Sequence, residues 1–407
     1  MTTTVNEPPG IDSAKEPATP LRARIVEGLS GSYRSGPVLL ALVIIWFVFY
    51  SQNHAYFSVA NITNLALQIV TTAILALGLV FVLLVGEIDL AVAALSGVCA
   101  TVAARLAVES GLPLGLAIVV AIATGLVVAL VESMIVVFGV PSLIVTLGGS
   151  VILQGLLLNV LPPAFSVSVG GTTFAKIAGT HLSVAASFTL AAVGWGGYVV
   201  SRWHTSVRGR SVGSRSVLGM VVLPAVVAGV FIFGVVAILS HDRGLPLPVV
   251  ILAVLLVLGS YLTTQTRYGA HLYAVGGNRQ AAQRAGIPVA RMVVYSFLIL
   301  GFCGAVAGIV EASRLLGVSA SSGSGPLMLN AIAAAVVGGT SLFGGRGTVW
   351  SALIGALIIG SINNGVQLLG LSTQVQDYAT GLVLVVAVAI DVVVTRGSLW
   401  PSRQIRS

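Results

Sequence analysis

The sequence predicts an all-α polytopic membrane protein with about twelve transmembrane helices (ten to fourteen), two weakly similar halves and both termini cytoplasmic. Three observations carry that prediction. The 407-residue chain is 57% apolar, holds 48 glycines and is only 8% charged, where a soluble domain carries about 25% charged residues. Long apolar runs recur along it, and the basic residues collect between alternate runs. So few charges cannot dress a water-facing globule of this size, which sets aside soluble enzymes, nucleic-acid binders and disulfide scaffolds. The net charge of +8 implies no nucleic-acid partner, because in a membrane protein the placement of basic residues matters more than their sum.

A hydrocarbon core about 30 Å thick takes roughly 20 helical residues to cross. Runs of about that size lie at 37–52, 61–86, 88–108, 113–138, 141–161 and 183–201, then at 217–240, 246–264, 292–312, 327–343, 348–369 and 375–395. Twelve crossings place both termini on one side. That side then holds Lys15, Arg22, Arg24 and Arg34, the four arginines of 202–215, the four of 267–291, Arg346, and Arg396, Arg403 and Arg406. The other side keeps Arg105, Lys176, Arg243 and Arg314. Basic residues are retained on the cytoplasmic face, so the richer side is inside. Residues 1–35, polar and rich in proline and threonine, read as a disordered cytoplasmic tail before an uncleaved first helix. The transmembrane domain is 36–395, with cytoplasmic loops at about 202–216 and 265–291, and 396–407 is a second cytoplasmic tail. The tight turns at 86–89 and 343–347 leave the count open: a re-entrant break at either would change it.

No chemistry of bond-making is legible. The two lysines, Lys15 and Lys176, stand in nothing like a phosphate-binding G-x-x-x-x-G-K-[ST] loop. Cys99 and Cys303 fall inside apolar runs and read as small hydrophobes. The five histidines are scattered without an H-x-x-x-H pair. The expectation is therefore a protein with no catalytic residue, no metal and no cofactor.

Polar groups inside the runs are the informative ones. A charge at the bilayer centre costs about 2.5–3.5 kcal/mol, so Glu87 and Asp89 must sit in a turn, be paired or line water. Glu311 precedes Arg314 by three residues, and a local ion pair between them is the simplest account of its charge. Asp391 is interfacial, while Glu132 and Asp377 have no assigned place. Neutral amides and hydroxyls, among them Thr146, Gln154, Asn330, Asn363 and Asn364, suit an uncharged polyhydroxylated solute, or else tie helices together.

Two glycine-bearing polar interruptions fall at matching points of the halves. Val85-Gly86-Glu87-Ile88-Asp89-Leu90 aligns with Val337-Gly338-Gly339-Thr340-Ser341-Leu342. Paired interruptions of this kind mark transporter binding regions, where freed backbone groups face a wet cavity. Read more plainly, both are hairpin turns. Near the start of the second half's loop, Thr266–Arg291 contains Gly276-Gly277-Asn278-Arg279-Gln280-Ala281-Ala282-Gln283-Arg284-Ala285-Gly286-Ile287-Pro288. Gln280–Ala285 can form a short helix, capped by Asn278 and ended by Gly286, with Arg279 and Arg284 outward. It is either a docking peg for a soluble partner or a solvated basic loop.

This loop resembles the G-N-x-x-A-A-x-x-x-G-I segment of sugar permeases in ATP-binding-cassette importers, the ribose/xylose/arabinose branch. Gly86-Glu87-Ile88-Asp89-Leu90, Val140–Leu147, Ala331–Ala335 leading into Gly338–Gly347, and Asn363-Asn364-Gly365 match further family segments in order. The extra helix pair around 183–240 and the turn Arg243–Pro248 resemble the longer, xylose-type permease. Two departures stand out. Met328-Leu329-Asn330 replaces the family's E-L-D, and Ala91 and Ala93 replace the serine and glycine of D-L-S-V-G.

The resemblance implies a multi-pass subunit of the cell (inner) membrane that pairs with a second permease copy. It implies cytosolic ATPase subunits and an extracytoplasmic sugar-binding protein as partners, with a monosaccharide, xylose or a similar pentose or hexose, as cargo. The coupling loop would comprise Gly276, Gly277, Asn278, Arg279, Ala281, Ala282, Arg284, Gly286 and Ile287. The substrate path would include Glu87, Asp89, Thr146, Gln154, Asn330, Thr340, Ser341, Asn363 and Asn364. The rival reading is a single-chain ion-coupled transporter, with Glu87, Asp89 or Asp377 as coupling carboxylate.

Overall fold

The computed structural model describes residues 36–208, 222–241 and 244–396, so the two tails and most of the 202–216 loop lie outside the described residues. The described part of each of the twelve apolar runs holds a helix. In chain order these are α1 (Gly36–Gln52), α2 (Val59–Val85), α3 (Val92–Val108), α4 (Leu114–Val137) and α5 (Ser142–Val160); a short α6 (Lys176–Gly179) follows, then α7 (Val184–Arg208), α8 (Leu223–Leu239) and α9 (Leu247–Gln265). Next come α10 (Arg267–Gly277) and α11 (Arg279–Arg284), which make up the basic loop, then α12 (Val289–Arg314), α13 (Gly325–Val337), α14 (Trp350–Leu368) and α15 (Thr373–Arg396). Strands β1 (Ser166–Ser168) and β2 (Gly317–Ser319) pair antiparallel, Val167 opposite Val318.

Among the described residues, six helices are long and apolar enough to cross a membrane: α2, α4, α5, α9, α12 and α14. The apolar stretches of the other six helices are shorter, at 10–17 residues. The run at 327–343 ends as helix at Val337, and 13 residues at 1.5 Å each give α13 about 20 Å, less than a hydrocarbon core. The architecture is thus a multi-pass helical membrane protein in which one predicted span is a half-helix.

Burial sorts the helices. α2 is almost wholly enclosed, packed by α9, α12, α13 and α14, while α12 also holds α3 and α4. Small residues make these crossings tight: a Cβ on Gly125 of α4 would run into the Gly301 carbonyl oxygen of α12, and the reverse holds at Gly301. Close backbone approach gains dispersion where lipid offers no hydrophobic driving force. α4, α5 and α9 by contrast turn Val119, Val127, Leu147, Val151, Ile152 and Val257 outward, the apolar face that lipid or a second chain needs. The α7–α8 pair forms its own hairpin, fastened by the Trp195 Nε1–H donating to the Ala225 carbonyl (2.8 Å).

Candidate functional site

The two interruptions meet. α2 ends at Gly86, whose left-handed φ of 89° turns the chain sharply, and α3 begins only at Val92. α13 ends at Val337 and α14 begins at Trp350. Between them the Gly345 N–H donates to the Leu84 carbonyl (3.0 Å), so the second break lies on the end of the helix that opens the first.

The α10–α11 loop is clasped to both. Arg279 Nη1 donates to Glu87 Oε1 at 2.6 Å, and the Tyr273 hydroxyl donates to the Gly347 carbonyl at 2.9 Å. Gly276 sits where a Cβ would run into the Leu84 carbonyl oxygen and the Gly345 amide nitrogen at once. Tyr268 ties α10 to Ser296 of α12 (3.2 Å), and burial pushes its phenol up to about 12, against a smaller lowering by that hydrogen bond. It therefore stays neutral at any ordinary pH. Asn278 Oδ1 accepts from the Ala281 N–H (2.9 Å) and Gly286 takes φ 80° after α11, the expected cap and stop. Arg284 is exposed as expected; Arg279 differs, since its guanidinium turns to Glu87 instead of pointing wholly outward. A buried carboxylate close by recruits the cation.

Around the first break the polar groups are fully enclosed. Asp89 Oδ1 accepts from the Ala91 and Val92 N–H groups (both 2.8 Å) and so caps α3. Ser142 Oγ accepts from the Ile88 N–H (3.2 Å), and Thr146 Oγ1 donates to the Ser142 carbonyl (2.9 Å). Glu132 of α4 is buried, its Oε1 facing Gly149 of α5. At the second break Thr340 and Ser341 are buried, and Ser341 Oγ accepts from the Phe343 N–H (3.3 Å).

The remaining expected path residues lie elsewhere. Asn364 exchanges hydrogen bonds with Asn61 of α2 (2.8 and 3.1 Å), Asn363 beside it is buried, Asn330 is half-buried on α13, and Gln154 is exposed on α5. The Asn61–Asn364 pair fastens α14 to α2. Asn364→Ala strands one amide in that seam and is expected to cost about 1–2 kcal/mol. Unfolding in detergent checks this, and adding Asn61→Ala should cost somewhat more, because the Asn61 amide also donates to the Tyr56 carbonyl (2.8 Å). Glu311 and Arg314 pair as expected, at 2.9 Å, with Thr71 Oγ1 donating to the same carboxylate (2.6 Å). Asp377 is exposed; the Asp391 side chain lies outside the described ones.

A family model described as the permease component of branched-chain amino acid transport systems matches residues 61–388, which takes in both breaks and the whole α10–α11 loop. The chain belongs to this permease family. Curated relatives within it cover nearly the full length. The xylose transport system permease protein XylH of Escherichia coli is 36% identical over 369 residues, 89% of this chain and 92% of the relative. Its counterpart in Haemophilus influenzae is 36% identical over 364 residues, 87% and 95% of the two chains. The ribose import permease protein RbsC of Haemophilus influenzae is 32% identical over 353 residues, 86% and 91%. No solved structure matches.

For a permease of this family the structure also supplies residues that sequence reasoning passed over. A cavity of about 460 Å³ opens between the β-ribbon and α13, lined by Ser166, Ser168, Ser319, Ser321, Ser322 and Ser324 with Glu311. Its signal in the sequence is the run Ser319-Ala320-Ser321-Ser322-Gly323-Ser324-Gly325. Small polar residues of that kind read as a linker, and nothing in their spacing gives away a cavity.

Proposed function

We propose that this protein forms the membrane pathway of an ATP-driven importer for a monosaccharide, xylose or a similar pentose or hexose, and that α10–α11 is the dock for separate ATPase subunits. The observation that carries the reading is the clasp: one basic, capped, exposed segment is joined by Gly276, Tyr273 and Arg279 to both breaks of the helical bundle. A push on that segment reaches α2, α3, α13 and α14 together, since packed elements shift as units between discrete arrangements. Gln280, Gln283 and Arg284 border a shallow depression on the outer side of α11, room for a partner side chain.

The rest of the assembly follows from the same reading. A second copy of the chain covers part of the apolar face of α4 and α5, and a sugar-binding protein delivers cargo on the opposite face. The loop face and both termini are cytoplasmic, and the protein lies in the inner membrane. The name of the family model points to amino acids, whereas the xylose and ribose relatives match over nearly the entire chain. The neutral hydroxyls and amides of the interior also favour sugar, because an amino acid brings two charges that need partners.

Vesicles reconstituted with the chain, its ATPase and its binding protein test this. Uptake of D-xylose or D-ribose is expected to require ATP and to survive collapse of proton and sodium gradients. Gradient-driven uptake by the chain alone would instead establish a secondary transporter.

A further inference from the structure

The segment joining β2 to α13 does not run over the end of the bundle; it descends along α3. A Cβ on Gly97, the sixth residue of α3, would run into the Ser322 carbonyl oxygen. Gly323, with φ 72°, lies against the Ala93 carbonyl oxygen, and Ala93 is the second residue of that helix. Arg105, near the other end of α3, holds the Val160 carbonyl (2.6 Å) just before the ribbon. Twelve residues of helix separate Ala93 from Arg105, about 18 Å. Non-helical backbone at such depth is tolerated only when it is buried in protein or lines a water-filled cavity. Here it lines a cavity, and α13 starts beside it.

The chemistry of the lining is selective. Six serines line it. Ser319 and Ser321 bond each other (3.0 Å) and Ser322 Oγ accepts from the Ser319 N–H (3.0 Å), and a hydroxyl, with one donor and two acceptor sites, keeps capacity beyond one such bond. The one acid, Glu311, is already neutralised by Arg314 and accepts from Thr71. Leu315, Leu316 and Leu327 give an apolar wall. Ser324 is the N-cap of α13 yet makes no side-chain cap bond. Among the described residues, only Phe165 and Leu316 hold a left-handed φ without being glycine, at 51° and 57°. Both stand at this ribbon, and Leu316 lines the cavity; bulky residues keep such strain chiefly where the surrounding structure imposes it. The volume, about 460 Å³, falls in the range of small-molecule sites, about 300–1,000 Å³. A zwitterionic amino acid would find no free charge of either sign in this lining, whereas a polyol meets neutral serine hydroxyls with donor or acceptor capacity left.

We propose that this cavity is the outward-facing receiving site for one uncharged monosaccharide. The proposal rests on the sugar-import reading and adds the place where cargo first meets this chain, on the face opposite α10–α11. Ser321→Cys and Ser324→Cys, each made separately in cells carrying the complete transporter, provide the test. A membrane-impermeant sulfonated thiol reagent is expected to label both from outside, the native Cys99 and Cys303 being buried. D-xylose or D-ribose at ten times its dissociation constant should slow labelling about tenfold by mass action, and L-leucine should not. A Ser321→Ala/Ser324→Ala double variant should raise KM for uptake about tenfold with kcat kept, the factor for losing roughly one net hydrogen bond.

No labelling from outside, labelling indifferent to both sugars, protection by leucine, or protection only by the binding protein would each overturn the site. An unchanged KM in the double variant would do the same. Uptake of radiolabelled D-xylose, D-ribose and L-leucine in the same cells reads the function separately. Sugar uptake without sugar protection sinks the site alone, and leucine uptake without sugar uptake sinks the import reading.

Discussion

Replacing Gly276 by valine is expected to abolish transport and to lower the thermal stability of the protein, whereas Gly277→Ala leaves the fold intact. The two glycines are neighbours, and their surroundings are opposite. A Cβ at Gly276 meets the backbone of Leu84 and of Gly345, atoms of two different breaks that already share a hydrogen bond. Neither can give way without parting the other, so the cost exceeds the about 1–3 kcal/mol of ordinary overpacking. At Gly277 nothing lies within 4 Å of the added carbon. Melting curves of the purified variants should show a large drop for the first and none for the second. Gly277→Ala together with Asn278→Ala then probes docking itself, since that face is open. Loss of ATPase co-purification with a melting curve lowered by no more than the loss of one helix cap, about 1 kcal/mol, is the expected outcome, and normal uptake and co-purification would remove the loop from the coupling role.

Arg279→Ala should reduce ATP-driven uptake about tenfold or more, with only a modest loss of stability. The Glu87 side chain is 10% exposed and the Arg279 side chain 50%, so removing the arginine leaves a nearly buried carboxylate without its cation. A fully buried pair broken in this way costs about 3–5 kcal/mol, and the exposure of the arginine brings the figure down toward 1–2 kcal/mol. Glu87→Gln with Arg279→Gln takes away both charges and keeps hydrogen-bonding groups. That pair is expected to be more stable than Arg279→Ala yet still poor in transport. If the pair transports as wild type, the ion pair is a fastening and carries no coupling.

The sequence disclosed the repeated apolar runs, the helix capped by Asn278 and stopped by Gly286, and the Glu311–Arg314 pair. Each is local: it depends on residues within about a turn of one another, or on a length compared with a bilayer. It also pointed to the two breaks as special, because glycine loosens a helix and an acid inside an apolar run is too costly to stand without a partner or water. What those breaks do could not be read in the same way. Glu87 stands 192 residues from the arginine that holds it, and an acid in an apolar run does not say which distant cation it will meet. Asn364 reads as a path residue by its type, and that type does not say that it bonds Asn61, 303 residues away. The serine run at 319–324 reads as a linker, since depth in the membrane has no signature in six small residues.

Composition and periodicity alone therefore settled that this is a multi-pass helical membrane protein, because charge scarcity and run length are sums over the chain and need no coordinates. Motif order added its family. Only the packed structure decided that the two breaks touch, that α10–α11 grips both, that α13 is a half-helix, and that a hydroxyl-lined cavity lies beside its start. Those are contacts between segments far apart in the chain. They follow from which backbones can approach closely, and glycine permits an approach without saying to whom.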